Sequence, residues 1–165
     1  MNGDIISQLF TNSQFTSSSN SYGSLFPYPL TSNYSTFGAG AWLSLSSSQL
    51  RSSINQYPIH TDSSATDPNI IDGLYYLQDH KSKTSDQLVV IIANSDNKLD
   101  AATVNAADNL KSDGSTIITL SYGGRYDLSS LASSNEYVLT QENIDKIQAA
   151  DLIWNTLLKA SGACS

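Results

Sequence analysis

The chain has 165 residues, enough for one domain with a core that needs no disulfide staples. Hydrophobic residues make up 39% and charged residues only 14%, with uncharged polar residues, Ser above all, filling the gap; that balance does not fit the charge-rich class of disordered chains. The net charge of −7, and 8 Lys and Arg residues scattered singly, argue against nucleic acid or an anionic membrane as partner, since both need basic patches. No apolar run reaches the roughly 18 residues of a transmembrane helix, so no membrane insertion is expected. The N-terminal stretch has neither a basic n-region nor a long apolar h-region, so no signal peptide is expected. The single cysteine, Cys164, has no internal disulfide partner. It reads as a free thiol on a tail, or as the first cysteine of a segment that continues in longer relatives.

In chain order, Ile5, Ile6, Leu9 and Phe10 recur at helical spacing behind Asp4, which predicts an amphipathic helix over about residues 3–13. Residues 16–21 form a Ser- and Asn-rich loop. Residues 23–33 are held extended by Pro27 and Pro29, with Leu25, Phe26, Tyr28 and Leu30 available to pack the loop onto the body. Asn33-Tyr34-Ser35 is a glycosylation sequon, meaningful if the chain is secreted. Residues 35–45 read as a strand in which Gly38 and Gly40 allow close approach of a neighbour. Residues 46–56 read as a short helix with Leu50 and Ile54 four apart, ended by Pro58. Residues 61–69 are a polar loop holding Asp62, Asp67 and Pro68.

The second half carries the stronger signals. Ile70, Ile71, Leu74 and Leu77 fall on one stripe, with Tyr75 and Tyr76 beside it, and predict a helix over 70–78. Leu88 to Ala93 is a continuous apolar run rich in Val and Ile, as in strands covered on both faces of a parallel sheet. Asn94 to Asn97 is turn chemistry. Asp100 is placed to cap a helix whose apolar residues Ala101, Val104, Ala107 and Leu110 recur at helical spacing, with Gly114 as its left-handed stop. Residues 116–120 are a second β-branched run. Together these make one βαβ unit, whose crossover should be right-handed. Tyr122-Gly123-Gly124-Arg125 is a turn, and Asp127 is placed to cap a short helix through Ala132. A short strand is expected over 136–140. A final helix is expected over 141–160, with Ile144, Ile147, Leu152 or Ile153, and Leu157 or Leu158 inward, and Gly162 as its end.

Catalytic signatures are sparse. A nucleophilic triad needs a base beside the nucleophile, but the only histidines, His60 and His80, sit in polar loops, and there is no Gly-x-Ser-x-Gly elbow. No P-loop and no helix-opening Gly-x-Gly-x-x-Gly occurs. The loop from Asn94 to Asp100, at a helix N-terminus, is the one place for a phosphate or flavin, although Asp96 and Asp100 would repel an anion. A zinc site lacks its His and Cys ligands. A hard cation would need oxygens converging from Asn94, Ser95 and Asp96, with Asp62 and Asp67 from another loop; ordinary loop and cap chemistry explains the same residues more simply. No catalytic, cofactor-binding or metal-ligating residue is therefore assigned.

The residues do resemble a family. Asp86-Gln-Leu-Val-Val-Ile-Ile-Ala-Asn-Ser, Leu110-Lys-Ser-Asp-Gly-Ser-Thr-Ile-Ile-Thr-Leu-Ser-Tyr and Leu128-Ser-Ser-Leu-Ala-Ser-Ser-Asn-Glu-Tyr-Val-Leu-Thr are similar to segments of the von Willebrand factor A domain. The resemblance is strongest to the version in nematode secreted proteins that also carry C-type lectin domains. It covers residues 86–164 well and 1–85 loosely, and Leu157-Leu-Lys-Ala-Ser-Gly-Ala-Cys looks like the junction to a cysteine-bearing segment. The family's metal-ion-dependent adhesion site uses an Asp-x-Ser-x-Ser motif after the first strand, a Thr before a middle helix and an Asp after the fourth strand. Here the first strand and its motif are missing from the pattern, Pro68 stands at the Thr position and Asn94 at the Asp position. Proline has no hydroxyl and asparagine no charge, so metal-dependent adhesion is not carried over.

The expected architecture is therefore α/β: a three-layer, doubly wound, mainly parallel sheet resembling a von Willebrand factor A domain short of its first strand. It would span residues 1–160, with a tail over 161–165. Losing that central strand would leave two edges, to be re-paired by the chain or by a partner's strand, or would mark a poorly stable remnant of a truncated gene with no binding role. The resemblance implies a non-enzymatic interaction or adhesion module with a degenerate metal site, no cofactor, an extracellular setting, and a protein or glycan ligand of unknown identity. The alternative is a flavodoxin-like small-molecule or nucleotide-binding domain using the loop from Asn94 to Asp100.

Overall fold

The computed structural model of the chain describes residues 5, 8, 9, 70–79, 87–93, 99–123, 127–142 and 145–162. The expected strand over 35–45, the helix over 46–56, the loops holding Pro27, Asn33, Asp62, Asp67 and Pro68, and the turn from Asn94 to Asn97 lie outside these residues. The described elements are α1 (Ile70–Asp79), β1 (Leu88–Ala93), α2 (Ala101–Ser112), β2 (Thr116–Tyr122), β3 (Val138–Gln141) and α3 (Lys146–Ala160), with a 3-10 turn at Asn135–Tyr137. Ile5, Gln8 and Leu9 are helical.

The three strands form one sheet in the order β1-β2-β3, and both pairings are parallel. Leu88 to Ala93 pairs residue for residue with Thr116 to Ser121, and Thr119 to Tyr122 with Val138 to Gln141. Because side chains alternate across a strand, this register sorts the apolar residues onto two faces. Val89, Ile91, Ala93 and Ile117 face a core closed by Leu74 of α1, by Ala106, Ala107 and Leu110 of α2, and by Leu128 and Leu131. Ile92, Leu120 and Tyr122 face a second core closed by Ala149, Ala150 and Ile153 of α3 and by Ile5 and Leu9. Helices thus cover both faces, and the continuous apolar runs of β1 and β2 have the physical cause expected of them: both faces are shielded from water, except at the start of β1, where Leu88 is exposed. The fold is α/β and layered, as the pattern of the sequence predicts.

Local chemistry sets the ends of the elements. Asp100 caps α2, its Oδ1 accepting from the Thr103 amide at 2.7 Å. At the other end the Gly114 amide donates to the Lys111 carbonyl and the Ser115 amide to the Leu110 carbonyl, both at 3.0 Å. That bonding is a Schellman stop, and it needs the left-handed backbone that Gly114 supplies at φ 85°. The turn carries the chain directly into β2, where the Thr116 amide donates to the Gln87 carbonyl at 2.8 Å.

Several expectations need correction. Ala101 is exposed; Val104 is half-buried and packs against the first core, beside the buried stripe of α2 formed by Thr103, Ala106, Ala107 and Leu110. A threonine can hold an inward position here because Asp100 satisfies its hydroxyl at 2.7 Å. The final helix starts at Lys146, not at residue 141, because Asp145 caps it and Gln141 still belongs to β3. Of the residues expected inward, Ile147 is 53% exposed; of the alternatives Leu152 and Ile153, Leu152 is 40% exposed and Ile153 is fully buried, sharing the inward stripe with Ala149, Ala150 and Thr156. The strand expected over 136–140 is Val138–Gln141, preceded by the 3-10 turn.

The short helix expected from Asp127 to Ala132 is a run of turns instead. Asp127 Oδ1 accepts from the Ser129 amide at 2.9 Å, and the Leu131 amide donates to the Leu128 carbonyl at 3.0 Å. Both leucines are buried, and the chain is then pulled alongside β2. The Ser133 amide donates to the Ile117 carbonyl at 3.0 Å, and the Ile117 amide donates back to Ser133 Oγ at 2.9 Å. Ser133 therefore substitutes for a strand partner along the first half of β2, upstream of the point where β3 begins. Lys111 secures this turn from α2, donating to the Ser130 carbonyl at 3.2 Å while pairing with Asp108 at 2.7 Å.

Three measurements follow from this packing. Leu120→Ala and Ile153→Ala should each lower the unfolding free energy by about 2–5 kcal/mol, read by urea denaturation. Ile147→Ala should change it by no more than about 0.5 kcal/mol; equal losses at Ile147 and Ile153 would show that α3 is packed by another face. Thr119 is fully buried and its Oγ1 has no hydrogen-bond partner among the described residues. Thr119→Val should accordingly raise stability by about 1 kcal/mol, whereas a loss would show that the hydroxyl is bonded.

Candidate functional site

In a parallel sheet all strands point one way, so their carboxyl ends and the N-termini of the helices that follow share one edge, the usual ligand edge of open α/β sheets. Here that edge carries the ends of β1 at Ala93, β2 at Tyr122 and β3 at Gln141, and the first turns of α2 and α3. It is the candidate site on architecture alone. Its chemistry decides what it can do.

Both helix N-termini at this edge are occupied by carboxylates of the chain itself. Asp100 Oδ1 accepts from the Thr103 amide and from the Thr103 hydroxyl, each at 2.7 Å. Asp145 Oδ1 accepts from the Ile147 amide at 2.9 Å and the Gln148 amide at 3.2 Å. The bonds from Thr103, its hydroxyl first and its amide second, hold the Asp100 carboxyl below the usual carboxylate range. It is therefore a settled anion at neutral pH. A free helix N-terminus attracts phosphate through its unpaired amides and its dipole. Amides that already hold a carboxylate, with its full charge in place, disfavour a second anion there.

The rest of the edge is also tied together by backbone and amide bonds. The Gly123 amide donates to the Gln141 carbonyl at 2.8 Å, with Gly123 at φ 89° turning the chain away after β2. Gln141 is buried, and its Nε2 donates to the Asp145 carbonyl at 3.1 Å, joining the end of β3 to the start of α3. At the far end of α3, Lys159 Nζ donates to Glu136 Oε2. Both partners of that pair are about half exposed, so it adds little stability.

Of the residues weighed from sequence, the structure describes Asp100 at this edge. Asn94, Ser95, Asp96, Asp62, Asp67 and Pro68 lie outside the described residues, as do His60, His80 and Cys164. Among the described residues no group of three or more His, Cys, Asp or Glu is arranged to hold a metal ion. No described helix is long and apolar enough to cross a membrane. Sequence reasoning missed Gln141 and Asp145, because the final helix was expected to begin four residues before the cap. The signal was legible: Asp145 followed three residues later by Gln148 is the spacing of a capping box.

No family model matches the chain, and no curated protein matches it. A solved structure does match: proximal thread matrix protein 1 from the mussel byssus, at a TM-score of 0.57 and 15% identity, over 93% of this chain. The fold is von Willebrand factor A-like. At that identity the likeness speaks for the fold alone. The chain spans 42% of the length of the matrix protein.

The von Willebrand factor A-like edge gives a pH prediction with a definite sign. The folded-state pKa of Asp100 is lowered, so its cap contributes stability above the unfolded carboxylate value of about 3.9 and loses it as pH falls through the lower folded value. Asp100→Asn keeps an acceptor oxygen but removes the charge. The variant should show a shallower fall in urea midpoint between about pH 5 and pH 2 than the wild type. Parallel acid limbs for the two proteins would remove Asp100 as a contributor.

Proposed function

We propose that the chain is a non-enzymatic interaction module of adhesion type, built on a von Willebrand factor A-like domain whose metal-ion-dependent adhesion site is degenerate. The observation that carries this reading is the chemistry of the ligand edge. Asp100, the described carboxylate after β1, is held by Thr103 as a helix cap, and Asp145 is held in the same way on α3. At each cap Oδ1 accepts two hydrogen bonds, which engages both of its lone pairs and leaves that oxygen unsuited to ligating a cation. The sequence adds that Pro68 stands where the family pattern has a hydroxyl and Asn94 where it has a charge. A matrix protein of the mussel byssus shares the fold, and a matrix role on this scaffold is compatible with that reading.

In this reading the partner is a protein or glycan, bound through surface complementarity without a bridging cation or a cofactor. The lectin-associated, secreted kind of von Willebrand factor A domain is the version that residues 86–164 resemble most, and we place the chain there, in an extracellular setting. The nucleotide- or flavin-binding alternative is disfavoured by the same caps, which put negative charge where a phosphate would sit.

Thermal unfolding of the purified chain in magnesium, and then in EDTA, tests the degenerate site. A ligand that binds only the native state must stabilise it, by about 2.7 kcal/mol at a hundred times its Kd. The expected result is one cooperative melt with the same midpoint in both buffers. A midpoint several degrees higher in magnesium would mean that a working cation site exists. The same melt with added FMN should also stay fixed, and a rise there would favour the flavodoxin-like reading.

A further inference from the structure

We draw no further inference here: the strongest candidate, the buried Gln141 side chain beside the first turn of α3 at the carboxyl end of the sheet, has an enclosed Oε1 without a hydrogen-bond partner among the described residues, and nothing in the structure shows a ligand that reaches it.

Discussion

The constraint on which the rest depends is the burial of β2 on both faces. Ile117, Ile118, Thr119 and Leu120 are fully buried, and Tyr122 nearly so. A strand in that position has no polar face to offer water, so helices must cover it from two sides and strands must flank it from two directions. β1 supplies one flank along its whole length. The other flank is divided: Ser133 serves the first half and β3 the second. The helices meet the sheet through alanines, Ala106 and Ala107 on one side and Ala149 and Ala150 on the other. Small side chains let the helix backbones come close without leaving voids, which is how a modest apolar content still closes two cores.

That same arrangement determines where function can sit. With every described strand parallel, one edge collects the carboxyl ends and the helix N-termini. In many α/β proteins this edge is left electrically open toward a ligand. Here Asp100 and Asp145 close both N-termini with internal carboxylates, and the Gln141 amide ties β3 to α3. Among the described residues, both helix N-termini at this edge thus hold a carboxylate of the chain itself.

The elements legible in the sequence were those fixed by local rules. The run from Leu88 to Ala93 has the composition of a doubly covered strand, and its bounds follow from the polar residues beside it. Asp100 and Gly114 bracket α2 by cap and stop chemistry that needs no tertiary partner. What could not be read was decided by distant contacts. Asp127 has the sequence of a helix cap, but Leu128 and Leu131 are drawn into a core and Ser133 into a strand pairing, which breaks the turn before it can repeat. Ile147 looks as apolar as Ile153, but the face of α3 that meets the sheet runs through Ala149, Ala150, Ile153 and Thr156 and leaves Ile147 outside. For the candidate site, the cap at Asp100 was legible and the role of Gln141 was not, since its side-chain bond depends on where β3 stops.

Since β2 is the shared wall of both cores, the two cores should open together. Native-state hydrogen exchange tests this most directly, read at the amides of Leu120 in β2, Leu110 in α2 and Ile153 in α3. One common opening free energy is expected at all three, equal to that of global unfolding. An α3 that opens at a much lower free energy, while Leu120 and Leu110 stay protected, would contradict it, because β2 would then hold only one of its two faces in common with the rest of the fold.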